Sequence, residues 1–274
     1  MTKYVNEDFF DEESKKMYYI LGNFYASYIP SKFYKDQVIF RSSSRELVDI
    51  VRDNLESDHD VTLDNRGKSS YFFCFKNEYI KFRLEELGLV SDKLKRLFPD
   101  YINKKFLDHF IRGFFDAQVH IRTMGHGRNI VESVFNQQFL EGLSKSLIEH
   151  ANIKSNARPY KTAARQYAII YGHSDSLKIH DFMYRDFEYI KENGLYLSSK
   201  KDLFNLDYKA GTPGRKKGSH NEKCLDNINL AKKLILKGRK FKDIALEIGY
   251  TTYAGFHQRF EKIVGMTPTD FYIQ

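Results

Sequence analysis

The sequence predicts an α+β fold of two tandem, pseudo-symmetric halves followed by a small all-α domain. Three observations lead to this prediction. A helix-like phrase with an internal glycine occurs twice, as ILGNFYA around Gly22 and IRGFFDA around Gly113, 91 residues apart. Each copy is followed by alternating strand-like and helix-like segments. The chain then passes through a basic stretch rich in Gly and Pro into a purely helical pattern.

The first half, expected over residues 1–104, contains five segments with regular patterns. They are a helix from near Asp11, a strand over 36–43 (DQVIFRSS), a helix over 44–55 that Ser44 can cap, a strand over 68–75 (KSSYFFCF) and a helix over 77–89.

The second half, expected over residues 105–208, repeats this order. Its segments are a helix from near Asn103, a strand over 128–136 (RNIVESVFN), a helix over 137–151, a strand over 165–172 (RQYAIIYG) and a helix over 174–186.

The end of the chain has a different character. Residues 209–224 form a basic linker by composition, and residues 225–274 predict a compact helical domain. From residue 209 onward there are 13 Lys and Arg against 6 Asp and Glu, whereas the first 208 residues hold 31 against 30. Most of the net charge of +8 therefore lies near the C-terminal end, as expected of a protein that binds phosphates. A solvated basic surface is the alternative.

Composition also excludes some classes of protein. No apolar run approaches the roughly 18 residues that span a bilayer, and the acidic first residues lack the pattern of a signal peptide. Cys74 and Cys224 are far apart, so reduced thiols are expected rather than a metal site. We expect a cytoplasmic, nucleoid-associated protein without a membrane partner.

A glycine inside a helix costs about 1 kcal/mol relative to alanine, so two at equivalent positions suggest a role in packing. Gly22 with Ala26, and Gly113 with Ala117, lie four residues apart and therefore share one helix face. Small residues on that face predict a close contact between the two repeat helices.

The phrases YILGNFYAS and HFIRGFFDA resemble the paired signature helices of the LAGLIDADG homing endonuclease family, and the resemblance covers about residues 11–205. It implies the order αββαββα in each half, a central helix interface, and two sheets that form a saddle along the major groove of duplex DNA. Such enzymes cleave DNA with divalent metal ions held by one acid at the end of each signature helix.

Both acids are missing from this sequence. Aligned on the glycines, the acid positions are occupied by Ser27 and Gln118, which carry no charge. Asp116 is a nearby acid at a position that the resemblance treats as structural. The sequence therefore predicts no catalytic residue, no metal ligand and no cofactor. A different register, or rescue by Asp116 with Mg²⁺, is the alternative.

DNA contacts are expected from basic and polar side chains on the strands and their loops. For each single residue an ordinary solvated charge is the alternative. The candidates are Lys32, Lys35, Arg41, Arg66 and Lys68 in the first half, and His120, Arg122, His126, Arg128, Arg158, Lys161 and Arg165 in the second.

The C-terminal pattern over 226–272 resembles one helix-turn-helix unit of AraC-type regulators, on Ile244-Ala245, Gly249-Tyr250 and Gly265-Met266-Thr267-Pro268. Phe256 and Phe260 are expected in its core. The expected DNA contacts are Thr252, Tyr253, His257, Gln258, Arg259 and Lys262, with Arg215, Lys216 and Lys217 of the linker as a basic arm.

Together these features predict a sequence-specific double-stranded DNA-binding protein, a transcriptional regulator derived from a homing endonuclease. It would bind a long asymmetric site as a monomer. An active metal-dependent endonuclease is one alternative. An RNA-binding intron maturase is another, although a recognition helix fits the major groove of B-form DNA better than that of RNA.

Overall fold

Two copies of one αββαββα unit follow each other along the chain. The computed structural model describes residues 3–30, 36–124, 128–154, 157–163, 166–204, 206 and 222–273. The chain divides into two compact units, residues 1–208 and 209–274. Unit 1 contains both copies, and unit 2 is entirely helical in its described part. The predicted α+β class is thus confirmed.

The first copy consists of α1 (Lys15–Ser27), β1 (Tyr28–Pro30), β2 (Gln37–Ser42), α2 (Arg45–Asn54), β3 (Thr62–Asp64), β4 (Ser70–Lys76) and α3 (Glu78–Glu86). Its sheet is antiparallel, with the order β1-β2-β4-β3. Ser44 caps α2 as predicted, because its hydroxyl accepts the N–H of Leu47 at 3.3 Å.

The second copy consists of α4 (Leu107–Gln118), β5 (His120–Met124), β6 (Arg128–Phe135), α5 (Gln137–His150), β7 (Tyr160–Lys161), β8 (Tyr167–Tyr171) and α6 (His173–Met183). The sheet order β5-β6-β8-β7 repeats that of the first copy. Two short helices, α7 (Phe187–Glu192) and α8 (Ser198–Lys201), complete unit 1.

Both repeat helices begin later than the sequence pattern indicated. α1 begins at Lys15 rather than near Asp11, because Ser14 caps it by accepting the N–H of Met17 at 3.0 Å. α4 begins at Leu107 rather than near Asn103. The strands β1, β3, β5 and β7 have two to five residues, too few for an alternating pattern to stand out from the sequence.

The core of unit 1 lies between the helices and one face of each sheet. In β2, Val38 and Phe40 are fully buried, whereas Ile39 and Arg41 alternate with them and face away from the helices. In β6 the buried Val131 and Ser133 alternate with the half-buried Ile130 and Glu132. Each sheet therefore has a second face outside the core, called here the outward face.

Unit 2 has its own core. It consists of α9 (Glu222–Leu236), α10 (Phe241–Glu247), α11 (Tyr253–Val264) and α12 (Pro268–Ile273). Phe256 and Phe260 are completely buried in a cluster with Ile244 and Ala245, as predicted. Gly249 and Gly265 have φ of +88° and +84°, a conformation that glycine adopts without strain after a helix.

Candidate nucleic-acid interface

The two repeat helices contact each other backbone to backbone. A Cβ atom added at Gly22 would lie 2.1 Å from the carbonyl oxygen of Phe110, and one added at Gly113 would lie 2.0 Å from that of Tyr19. Only glycine permits this approach at either position. Because α1 and α4 pack side by side, their last residues, Ser27 and Gln118, come to the same place between the two sheets.

A cleft of about 390 Å³ lies at these helix ends and contains residues of both halves. Ala26 and Ala117, the small residues one turn after the glycines, belong to its wall. The other lining residues are Ser27, Tyr28, Ile29, Arg41, Ser42, Ser43, Ser70, Lys93 and Gln118. The cleft is therefore a polar centre at the ends of the two helices, beside strands of the first sheet, and it contains two cationic side chains.

Gln118 is held by two hydrogen bonds. Its amide oxygen accepts from Nζ of Lys93 at 3.0 Å, and its amide nitrogen donates to the carbonyl oxygen of Val134 at 3.0 Å. The same Nζ lies 5.1 Å from the ring centroid of Phe135. The ammonium group of Lys93 therefore lies next to Gln118, the residue at the position where the resemblance expects an acid.

Lys93 and Lys200 were not predicted as site residues. Burial, and then the charge of Arg96, lower the pKa of Lys93 to about 8, so it remains mostly cationic at pH 7. Nζ of Lys200 donates to the carbonyl oxygen of Val119, the residue after α4, and burial lowers its pKa. Both lysines could have been found from a repeated phrase in the sequence, because VSDK ends at Lys93 and LSSK ends at Lys200.

A buried arginine fixes the segment that carries Lys93. Arg96 is fully buried and donates to the carbonyl oxygens of Tyr25 at 2.7 Å, Tyr28 at 2.9 Å and Val90 at 3.0 Å. Tyr25 and Tyr28 belong to the end of α1 and the start of β1. The arginine therefore ties the Lys93 segment to the end of the first repeat helix.

Asp116 does not line the cleft. It is 3% exposed and accepts the hydroxyl of Tyr19 at 2.7 Å and the N–H of Leu197 at 3.0 Å. Burial raises the pKa of its carboxyl group to about 6. Its bonds hold α4 to α1 and to the segment before α8, so the carboxylate serves packing in this fold.

The residues at the helix ends do not fit a magnesium ion. Mg²⁺ prefers carboxylate oxygens, whereas Ser27 and Gln118 are neutral and the Gln118 oxygen already accepts an ammonium proton. Within the described part of the chain, no three His, Cys, Asp or Glu side chains are grouped closely enough to hold a metal ion.

Two predicted basic residues of the first half, Arg41 and Arg66, share one acid, Asp64. Arg41 Nη1 lies 2.9 Å from an oxygen of Asp64 and 2.9 Å from Oγ of Ser70, and its guanidinium covers the ring of Phe72 at 4.7 Å. Arg66 Nε donates to the same carboxylate at 3.0 Å. Hydrogen bonds from Arg66, and then from Arg41, hold the pKa of Asp64 well below its usual range.

The second half presents a mixed surface. His120 and Arg122 are exposed on β5, and Arg122 forms an ion pair with Glu132 of β6. Partial desolvation of the ring, and then the charges of Lys200, Arg122 and Lys68, lower the pKa of His120 below its ordinary value. Lys68 is exposed on the loop before β4. Arg128, at the start of β6, is exposed as well.

Two predicted contacts lie away from this surface. Arg158 lines a groove with Ser144, Lys145 and other residues of α5, on the side of the sheet that the helices cover. Lys161 pairs with Tyr167, which pairs with the buried Phe135, so its register places it on the core side of the sheet edge. Arg158 lies in the segment before β7, which passes beside α5. Lys161 belongs to a strand of only two residues, which is too short for an alternating pattern to predict which face of the sheet it occupies.

Several predicted residues lie outside the described part of the chain. They are Lys32, Lys35, His126, Arg165, Arg215, Lys216 and Lys217.

In unit 2 the predicted contacts divide by burial. Gln258 and Lys262, one turn apart on α11, are both exposed, and so is Thr252, whose hydroxyl caps the helix by accepting the N–H of Gly255 at 3.2 Å. Tyr253, His257 and Arg259 are half-buried. The ring of Tyr253 stacks on Phe241 with centroids 6.4 Å apart, so this tyrosine packs against the core.

Three further cations of unit 2 were not predicted as contacts. Arg239, Lys240 and Lys242 line a surface cavity of about 580 Å³ together with Tyr253 and Tyr272. In the sequence they belong to the phrase RKFK, which spans the start of α10. All three cations are exposed.

No described helix is long and apolar enough to cross a membrane. No protein-family model and no curated protein matches the chain. Among solved structures, the N-terminal LAGLIDADG domain of DUF199/WhiA has a TM-score of 0.43 and 14% identity, covering 65% of this chain and 89% of that one.

Two enzymes give similar values. The homing endonuclease I-DmoI in complex with DNA and Mn has a TM-score of 0.40 and 16% identity, covering 62% of this chain and 96% of its own. The LAGLIDADG homing endonuclease I-GzeII in complex with its DNA target has a TM-score of 0.43 and 8% identity, covering 93% and 99%. A likeness at this level concerns architecture and says nothing about binding or catalysis.

Proposed function

We propose that this protein is a sequence-specific double-stranded DNA-binding protein, acting as a transcriptional regulator, that does not cleave the DNA it binds. The observation that carries the proposal is the contact between Nζ of Lys93 and Oε1 of Gln118 at 3.0 Å, inside the cleft at the ends of the two repeat helices. This contact lies at the position where a nuclease of this architecture needs an acid.

The contact opposes metal binding for two reasons. Gln118 has no negative charge with which to attract a divalent ion, and its oxygen is occupied by the ammonium group. Bringing Mg²⁺ to that oxygen would place a second cation beside Lys93 in a partly buried site, where repulsion between charges is poorly screened. Ser27, at the equivalent position of the first helix, offers only a hydroxyl group.

The same features favour binding to phosphates. Lys93 supplies a fixed positive charge at the centre of the surface, so two DNA strands can approach without a metal to neutralise them. Arg41 and Arg122 stand on either side, on the outward faces of the two sheets. Their carboxylate partners, Asp64 and Glu132, hold both guanidinium groups in place before DNA arrives.

Unit 2 supports regulation rather than cleavage. Its α10 and α11 follow each other through a turn with Gly249 in the left-handed conformation, the arrangement of a helix-turn-helix. The AraC-type resemblance assigns α11 as recognition helix, and Gln258 and Lys262 are exposed on it. Two binding units on one chain allow a monomer to recognise a long asymmetric site.

The experiment selects duplexes bound by the full chain from random DNA, and then incubates the selected duplex with the protein in Mg²⁺ or Mn²⁺. We expect a specific electrophoretic shift and intact DNA at every metal concentration. Metal-dependent double-strand breaks would support the endonuclease alternative. Binding to structured intron RNA, with no duplex selected, would support the maturase alternative.

A further inference from the structure

Three apolar side chains form a row across the outward face of the first sheet. Ile29 of β1 pairs with Ile39 of β2, and Ile39 pairs with Cys74 of β4. Ile29 is 44% exposed, and the other two are half-buried. Because every second residue of a strand shares one face, the three side chains are neighbours on the face that turns away from the helices.

The second sheet has hydrogen-bonding groups in the same row. His120, which is 91 residues after Ile29, pairs with Glu132, and Glu132 pairs with Ile170. This spacing equals the one between the two helix glycines, so the rows are equivalent by pseudo-symmetry. The first row is apolar throughout, with methyl groups and a thiol, whereas the second begins with an imidazole and a carboxylate and only its last member, Ile170, is apolar.

Cations flank the apolar row on its own face. Arg41 is two residues after Ile39 on β2, and Lys76 is two residues after Cys74 on β4. A duplex seated on these cations through its phosphates brings base edges over the apolar row. Nonspecific binding to the backbone uses cations only and gives no role to three adjacent apolar side chains.

We propose that Ile29, Ile39 and Cys74 recognise the C5-methyl groups of thymines in the half-site under the first sheet. In the major groove, thymine is the base that presents a methyl group, and apolar side chains make its usual contact. His120 and Glu132 offer hydrogen bonds to base edges at the equivalent place, where Glu is suited to the amino group of cytosine. The bound site is therefore asymmetric, with the thymine contacts confined to one half. This inference rests on the proposed function.

The test uses the duplex selected with the full chain. Each thymine in it is replaced, one at a time, by deoxyuridine, which lacks only the C5-methyl group. Removing one buried methyl contact is expected to weaken binding by roughly fourfold, at thymines of one half-site only. Binding is measured by fluorescence anisotropy at a single salt concentration, because affinity for DNA depends strongly on salt.

Two variants assign the effect to the row. In Ile39→Ala, and in Ile29→Ala at the more exposed position, the protein should bind the thymine and uracil duplexes with nearly equal affinity. Leu63→Ala is the matched control. Leu63 is 47% exposed on β3, but it pairs with Tyr71 and so faces the opposite side of the same sheet. This control should keep the full difference between thymine and uracil.

The possible outcomes distinguish a failure of this inference from a failure of the proposed function. A specific duplex whose uracil forms bind as tightly as the thymine form would overturn the inference and leave the proposed function standing. Failure to select any duplex would overturn both. If Ile39→Ala left DNA binding unchanged but dispersed a self-associated protein in sedimentation velocity, the row would be a protein interface and the inference would be wrong.

Discussion

Replacing Gly22 with alanine tests the contact on which the arrangement of the two halves depends. The added Cβ would lie 2.1 Å from the carbonyl oxygen of Phe110 and 2.9 Å from the amide nitrogen of Phe114. Both are backbone atoms, so no side chain can turn away to make room. Ordinary contact requires the helices to separate by about 1 Å, which would loosen packing along their whole length.

The expected cost follows from two opposing effects. Overpacking of a well-packed core costs about 1–3 kcal/mol, and a backbone clash belongs at the upper end of that range. Alanine regains about 1 kcal/mol through its better helix propensity. We therefore expect Gly22→Ala to lower the free energy of unfolding of unit 1 by about 2 kcal/mol.

The assay is chemical denaturation followed by circular dichroism, with Gly67→Ala as the control. An added Cβ at Gly67 meets nothing within 4 Å, so this variant should be neutral or more stable by up to about 1 kcal/mol. If Gly22→Ala were as stable as the wild type, the two helices would not approach as closely as described and the reasoning would be refuted.

The remaining predictions concern acid stability and DNA binding. His109 is buried, and its ring accepts a hydrogen bond from Nη2 of Arg112 at 2.7 Å. Burial, and then the charge of Arg112, lower the pKa of His109 to about 3. The stability that this residue contributes is therefore complete above pH 6.5 and is lost as the pH falls toward 3. His109→Gln should therefore lose about 2 kcal/mol less than the wild type in urea titrations between pH 6.5 and 4.5, and equal losses would contradict the assignment. Lys93→Met should reduce the slope of log Kobs against log salt by about 0.9, whereas the exposed Lys95→Met should leave it nearly unchanged; the reverse order would exclude Lys93 from phosphate binding. Removing residues 209–274 should weaken binding to the selected duplex by about 100-fold, and Gln258→Ala by less; unchanged affinity of the shortened chain would show that unit 2 does not bind DNA.

Much of the fold could be predicted because it follows from local patterns. The repeat of Gly22 and Gly113 identified the two halves, and the hydroxyl of Ser44 marked the start of α2. The short strands β1, β3, β5 and β7 could not be located from alternation, because two to five residues do not establish a period. These four strands were expected only from the LAGLIDADG resemblance, which implies two pairs of strands in each half.

The candidate site was harder to predict, since it depends on contacts between distant segments. The neutral residues at the acid positions were evident from the sequence, but Lys93, the partner of Gln118, lies 25 residues from it and belongs to the other half. Likewise, Arg158 looked equivalent to the strand arginines until the structure placed it beside α5. Spacing along a chain shows which residue types are present, and the fold determines which of them meet.

The central claim is that this protein holds a specific duplex without a metal ion and leaves it intact. The most direct measurement mixes the purified chain with its selected duplex in EDTA, in Mg²⁺ and in Mn²⁺, and follows both affinity and strand integrity on the same samples. We expect equal affinity in EDTA and in metal at matched ionic strength, with no cleavage of either strand. Tighter binding in the presence of metal, together with cut strands, would contradict it.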